Sequence, residues 1–328
     1  MISPNRCAVI ALVACSAFAS AQVVDGTRDA NYGSALAVQT VETQFGDANP
    51  PGSLGGSELD AAYARVSGGR LYVMLTGNLE PNFNKLNIFI DSVAGGENTL
   101  SATPDYDFNG GGGWISSNMG GMTFDAGFEA DYHIFGRWGG ATDPFSVDFI
   151  NRNGGLSSMV AGSSGSSAPA AGLIANGAIN AGNVGPNASG TALTQDLFFA
   201  MDNNNAAGVL GGTGAADQVA AAAVTTGFEF SVDLADIGNP GIGSTIKISA
   251  MVGNGDHNYM SNQFLGGLAG GTGNLGGDGA GGFTGTLSGV DLNQFAGNQY
   301  FEVNVVPEPA TMAIFGIAAL AALRKRKK

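Results

Sequence analysis

The chain has 328 residues, with 27 acidic side chains against 13 basic ones and a formal net charge of −14. An acidic surface repels phosphates, which excludes nucleic acid as a partner and leaves cations or neutral polymers. The 54 glycines fall in short clusters with neither a Gly-X-Y nor a solenoid period, so collagen-like and repeat architectures are also excluded.

Residues 1–21 read as a secretory signal peptide, with Arg6 ahead of an apolar run from Ala8 to Ala19 and an Ala19-Ser20-Ala21 cleavage site before Gln22. A competing reading takes Leu12-Val13-Ala14-Cys15 as similar to the lipobox of bacterial lipoproteins, with Cys15 as a lipidated N-terminus. Cleavage after Ala21 removes Cys7 and Cys15 together. The mature protein then has no thiol and no disulfide, although an exported protein could form one. Without Arg6, Glu308 and the five basic residues of the tail, seven basic side chains face 26 acidic ones, a net charge of −19.

Period-two alternation, the mark of half-buried strands, recurs along the mature region. Strands are predicted at Leu36–Val41, Arg70–Thr76, Lys85–Asp91, Asp131–Trp138, Phe145–Ile150 and Leu197–Met201. In Gly227–Leu234 the residues Phe228, Phe230, Val232 and Leu234 share one face, and Glu229, Ser231 and Asp233 the other. Thr245–Val252 and Tyr300–Val306 repeat the pattern, with Ile246, Ile248, Ala250 and Val252, then Phe301, Val303 and Val305, facing inward. Only Ala215–Val224 reads as a helix, and a short one. Gly154–Gly190, rich in Ser, Ala, Gly and Asn, reads as a long surface loop or a seam between two halves. The expected fold is an all-β antiparallel sandwich, jelly-roll-like, over residues 22–305, with this loop-rich insertion and a C-terminal apolar helix.

Few residues suggest chemistry. Asp105, Asp107 and Asn109, followed by Gly110, fit the first half of a calcium loop, in which alternate oxygens converge on a hard cation; the twelfth position is Ser116 rather than Glu, so the EF-hand form fails. Asp91 and Glu97 are nearby acids that could assist such a site, and an ordinary polar turn competes with it. Trp114 and Trp138 offer the flat faces on which sugar rings stack, if they lie at loop edges rather than in the core. Gly271-Thr272-Gly273-Asn274-Leu275-Gly276 has the spacing of a dinucleotide loop without the strand and helix it needs. No G-x-S-x-G elbow occurs, and the two histidines, His133 and His257, lack metal-ligand spacing. Asp256-His257-Asn258, just after a predicted strand, is the polar turn at which a site would be sought.

The tail runs Val306-Pro307-Glu308-Pro309, an uncharged stretch Ala310–Leu323, then Arg324–Lys328. Fourteen helical residues rise about 21 Å, short of the ~30 Å apolar core of a bilayer, and the basic cluster marks the cytoplasmic side. This tail resembles the sorting signal of PEP-CTERM proteins of Gram-negative bacteria, with Pro307, Glu308 and Pro309 as its motif. The resemblance implies export across the inner membrane, a transient membrane hold, an exosortase-type processing enzyme as partner, and a role beside exopolysaccharide. The alternative is a plain C-terminal anchor that is never cut.

Val24-Asp25-Gly26-Thr27-Arg28-Asp29-Ala30-Asn31-Tyr32-Gly33, Leu59–Val66 and Leu71-Tyr72-Val73 resemble the opening of family 9 carbohydrate-binding modules and their DOMON-like relatives. That likeness implies a β-sandwich binding sugar or haem, although the paired sugar-clamping tryptophans have no counterpart here and neither histidine sits in a haem-ligand pattern. The sequence thus points to a non-catalytic surface or matrix protein that binds polysaccharide, with calcium as the one cofactor suggested. A secreted glycan-active enzyme with two carboxylates in a groove is the alternative.

Overall fold

A computed structural model describes residues 22–45, 56–102, 115–139, 145–152, 159–163, 173–182, 193–205 and 207–307. The first sheet holds β1 (Ala37–Val38), β2 (Glu58–Ser67), β3 (Arg70–Asn78), β8 (Leu173–Ile179), β9 (Leu197–Asp202) and β10 (Gly227–Asp233) in the order β1-β2-β3-β10-β9-β8. The second holds β4 (Lys85–Asp91), β5 (Tyr132–Arg137), β6 (Ser146–Asn151), β7 (Met159–Ser163), β11 (Thr245–Gly253), β12 (Met260–Leu265) and β13 (Phe301–Asn304). Its order is β12-β11-β4-β5-β6-β7, with β13 on the first half of the β11 edge that β12 occupies further on. All these pairings are antiparallel, as expected of a sandwich. The apolar sets predicted for β10, β11 and β13 face a common core, joined there by Leu71, Val73 and Leu75 of β3 and Leu86, Ile88 and Ile90 of β4.

Local sequence explains the joints. β2 and β3 meet through Gly68 and Gly69, with φ of +60° and +75°, a two-residue turn whose positive φ values suit the twist of the flanking strands. At the far end of the same pair the register slips between Leu59 and Ala61, and Gly77 lies opposite with φ +142°. A side chain there would start 2.2 Å from the Glu58 carbonyl, so this bulge requires glycine.

The faces expected to be solvated are covered. On the second sheet Phe89, Phe135, Ile150, Met251 and Phe264 form a second core with Met119, Met122, Phe124 and Phe128 on one connection and Leu268, Leu275, Leu287 and Val290 on another. On the first sheet Tyr32, Ala61, Tyr63 and Met74 form a smaller cluster beneath the N-terminal segment. Glu229 and Ser231, placed by alternation on a polar face, are accordingly 0% and 1% exposed. Gly154–Gly190 is not simply a loop or seam, because it contributes β7 and β8, which extend both sheets. The predicted helix shortens to α2 (Gln218–Ala223), since Asp217 caps it by accepting from the N–H groups of Val219 and Ala220. A second short helix, α1 (Ile115–Met119), follows the calcium-like sequence.

Candidate functional site

The two histidines, 124 positions apart in sequence, meet on the outer face of the second sheet. His133 projects from β5 opposite Tyr132, stacked on Phe89 at 4.1 Å between ring centroids, and its Nε2 pairs with Asn87 Oδ1 at 3.0 Å. His257 comes from the turn joining β11 to β12. Asn254 ties that turn, its Oδ1 accepting from the N–H groups of Asn258 and Tyr259, and its carbonyl from that of His257. Lys85 donates to the carbonyls of Phe83 and Gly255, and Asn118 to that of Asp256, so the turn is also clamped from outside. His257 is held at φ +55°, a left-handed conformation uncommon for a side-chain-bearing residue. Its ring meets Phe135 edge-on at 5.0 Å and lies 6.4 Å from His133.

His133 is 0% and His257 4% exposed. His133 Nδ1 and both ring nitrogens of His257 have no hydrogen-bond partner among the described residues. Burial depresses both pKa values well below the ordinary histidine value; Arg152 and then His257 add to this for His133, and Lys85, Arg152 and Arg137 for His257. Both imidazoles are therefore neutral at ordinary pH. Asp148 is buried on the same face, beside Phe135 in register, and Arg152 pairs with Glu97 at 2.9 Å. Neutral imidazoles can accept protons or ligate metals, yet no set of three His, Cys, Asp or Glu side chains among the described residues could hold a metal ion.

A second buried polar centre fastens the N-terminus. Glu229 of β10 accepts from the Tyr32 hydroxyl at 2.7 Å and from the backbone N–H groups of Asp25 and Gly26 at 2.9 and 3.1 Å. Burial and the adjacent carboxylate push the Tyr32 phenol far above its usual pKa. Gly26 has φ +80°, and a side chain there would start 2.7 Å from the Asp202 nitrogen. Arg28 donates to the Tyr63 hydroxyl and the Ala222 carbonyl and lies over the Tyr63 ring. These residues anchor the N-terminal segment to the sheet.

A third centre brings two acids together. Asn205 Nδ2 lies 3.4 Å from Glu58 Oε1 and 3.1 Å from Asp60 Oδ2, and Asp60 Oδ1 accepts from the Val209 N–H. These carboxylates are 1% and 0% exposed. The adjoining cavity of about 10 Å³, lined by Glu58 and Asn78 among apolar side chains such as Leu75, Leu86 and Phe228, has room for a single water. A sugar cannot reach this pair. Asp131 is also buried, and its pKa is pushed up to about 6 by burial, against the N–H groups of Val93 and Ser92 that its carboxylate accepts.

Of the residues proposed for binding, Trp138 alone is among the described residues. Trp138 does not lie at an exposed loop edge; it is 1% exposed within the main core and presents no face to a ligand. Trp114, Asp105, Asp107 and Asn109 lie outside the described residues. Asp91 and Glu97, the acids expected to assist calcium, are engaged with Lys247 at 3.2 Å and Arg152 at 2.9 Å. Pro307 is described, whereas Glu308 and Pro309, the apolar stretch and the basic tail are not. No helix among the described residues is long and apolar enough to cross a membrane.

The body is thus an all-β sandwich whose sheets are both covered outside as well as in. Residues 305–327 match the PEP-CTERM protein-sorting motif. The chain accordingly carries the C-terminal signal of proteins exported in Gram-negative bacteria and processed by exosortase. No curated protein and no solved structure matches it, and the likeness to family 9 carbohydrate-binding modules gains no support.

Proposed function

We propose that this chain is a non-catalytic surface or matrix protein, delivered by its tail and presenting an acidic sandwich that associates with extracellular polysaccharide. The match at residues 305–327, directly after the last strand, carries the reading. The burial of the Glu58 and Asp60 pair supports it over the glycan-active alternative, which needs carboxylates open to a groove. With Trp138 in the core, sugar contact by the predicted aromatics falls to Trp114, and calcium to Asp105, Asp107 and Asn109.

The test has two arms. Localisation of the full chain and of a chain ending at Val306, in a producer with its processing system, should differ; identical distribution would remove the sorting role. Glycan-array binding by the 22–306 body, with calcium and with chelator, should reveal a polysaccharide ligand that Trp114→Ala abolishes without loss of fold. Absence of binding to every glycan, including the producer's own, would leave a structural coat protein instead.

A further inference from the structure

We infer that Lys247 and Asp91 condense to an intramolecular amide, a covalent stitch between β11 and β4 in a body whose residues 22–305 contain no cysteine. The two residues are cross-strand partners, and their neighbours Ile246, Ile248 and Ile90 belong to the main core. Alternation therefore puts both side chains on the outer face of the second sheet. There Lys247 Nζ lies 3.2 Å from Asp91 Oδ2. Other contacts hold the pair in place. Nζ also donates to the Gly127 carbonyl and lies 5.8 Å from the centre of the Tyr300 ring, and Asp91 Oδ2 accepts from the Glu129 N–H at 3.2 Å. The two side chains are 26% and 14% exposed, so both are largely withdrawn from water.

The surroundings supply what condensation needs. The Glu129 N–H already bonded to Asp91 Oδ2 stabilises the charge that gathers on that oxygen when Nζ attacks the carboxyl carbon. Asp131 sits one step past the Ile90–Tyr132 pair, beside Asp91 across β4 and β5. It is 0% exposed; its Oδ2 accepts from the N–H groups of Ser92 and Val93, and its Oδ1 has no hydrogen-bond partner among the described residues. Burial, then Asp91 and Glu129, raise its pKa to about 6 against those two N–H groups, so this carboxyl can carry a proton near neutral pH. In the step, Asp131 takes a proton from the ammonium and returns it to Asp91 Oδ1. The Nζ–Cγ bond forms, the Cγ–Oδ1 bond breaks, and Oδ1 leaves as water with two amine protons, while Oδ2 remains as the amide oxygen. One positive and one negative charge vanish together, and no oxidant or reductant is required. Free ammonium and carboxylate do not condense in water, but reacting groups held in contact gain the effective concentration that drives the step. The link spans 156 positions in sequence and restricts the unfolded chain as a disulfide would. It forms whether or not the body binds polysaccharide.

The test is the intact mass and peptide map of the protein purified from producer cells that express the full chain. The expected mass is short by one water, with a branched peptide joining residues 91 and 247. Lys247→Arg keeps the charge opposite Asp91 but should lack the branch and run more slowly on a denaturing gel. Asp131→Asn leaves both reacting groups and should slow the appearance of the branch after synthesis by about 100-fold or more. A wild-type protein of full mass, or a water lost at another residue with 91 and 247 unjoined, overturns the inference. A link that forms as fast in Asp131→Asn overturns the part given to Asp131.

Discussion

Acidification from pH 7.5 to 5.5 should destabilise the body through His133 and His257. Each is buried and neutral, with a native pKa well below its unfolded value. The unfolded chain therefore binds protons that the native state refuses, and stability present above the unfolded pKa falls as pH drops through it. With an unfolded pKa near 6.5, each histidine costs about 1.4 kcal/mol at pH 5.5, or about 2.7 kcal/mol for the pair. Asp131 acts in the opposite sense, because its native pKa of about 6 lies above the unfolded value and it takes up a proton on folding in this range. Its contribution at pH 5.5 is at most about 0.8 kcal/mol. Asp125, Asp202 and Glu80, whose pKa values burial also raises, act in the same sense as Asp131. The histidines win, and the net loss is about 2 kcal/mol. Urea unfolding at both pH values measures it, with His133→Phe/His257→Phe as the control, since Phe suits a site lined by Phe89 and Phe135 and cannot titrate. Phe at φ +55° is strained and lowers the variant's overall stability, so the pH dependence is the readout. Equal pH dependence in wild type and variant would refute the assignment.

Glu229→Ala leaves the Tyr32 hydroxyl and the N–H groups of Asp25 and Gly26 without their acceptor. A loss of about 2–4 kcal/mol is expected in urea unfolding, limited by release of the N-terminal segment into water, and exchange protection should fall first over residues 25–32; a change below about 0.5 kcal/mol would show that the carboxylate does not hold the segment. Gly77→Ala places a methyl 2.2 Å from the Glu58 carbonyl and should cost more than about 2 kcal/mol, with a shifted bulge visible in the amide spectrum. Gly69→Ala, where nothing lies within 4 Å, pays only for positive φ and should cost about 1 kcal/mol.

Alternation revealed strands wherever one face was apolar throughout. The predicted Lys85–Asp91 coincides with β4, and Gly227–Leu234 and Thr245–Val252 each differ from β10 and β11 by one terminal residue. The pattern failed where polar residues interrupt both faces of a buried strand. β2 runs Glu58–Ala64 without an exposed residue, so its Ala and Tyr positions show no period. β12, Met-Ser-Asn-Gln-Phe-Leu, looks like a loop because its polar side chains bond to buried groups: Asn262 donates to the carbonyls of Glu42 and Thr272, and Gln263 Oε1 accepts from Gln39 and from the Leu59 N–H. Of the candidate site, His257 was visible as a polar turn after a strand. Its meeting with His133 was not, because it depends on which connection folds over which strand.

The charge distribution explains how an acidic body with no cysteine in residues 22–305 can hold these coverings in place. The seven basic residues of residues 22–305 act largely as internal braces: Arg65 donates to the Asn31 carbonyl, Arg70 to those of Asp196 and Ser231, Lys85 to those of Phe83 and Gly255, and Lys247 to that of Gly127. Arg28 ties the N-terminal segment to the Tyr63 hydroxyl, Arg152 pairs with Glu97, and Arg137 stacks over Phe83. A cation bonded to a backbone carbonyl secures a connection without neutralising an acid. Most of the 26 carboxylates therefore keep their charge, and the surface of a body fixed by buried contacts remains strongly anionic. Such a surface resists self-association, which suits a protein whose tail carries an export signal.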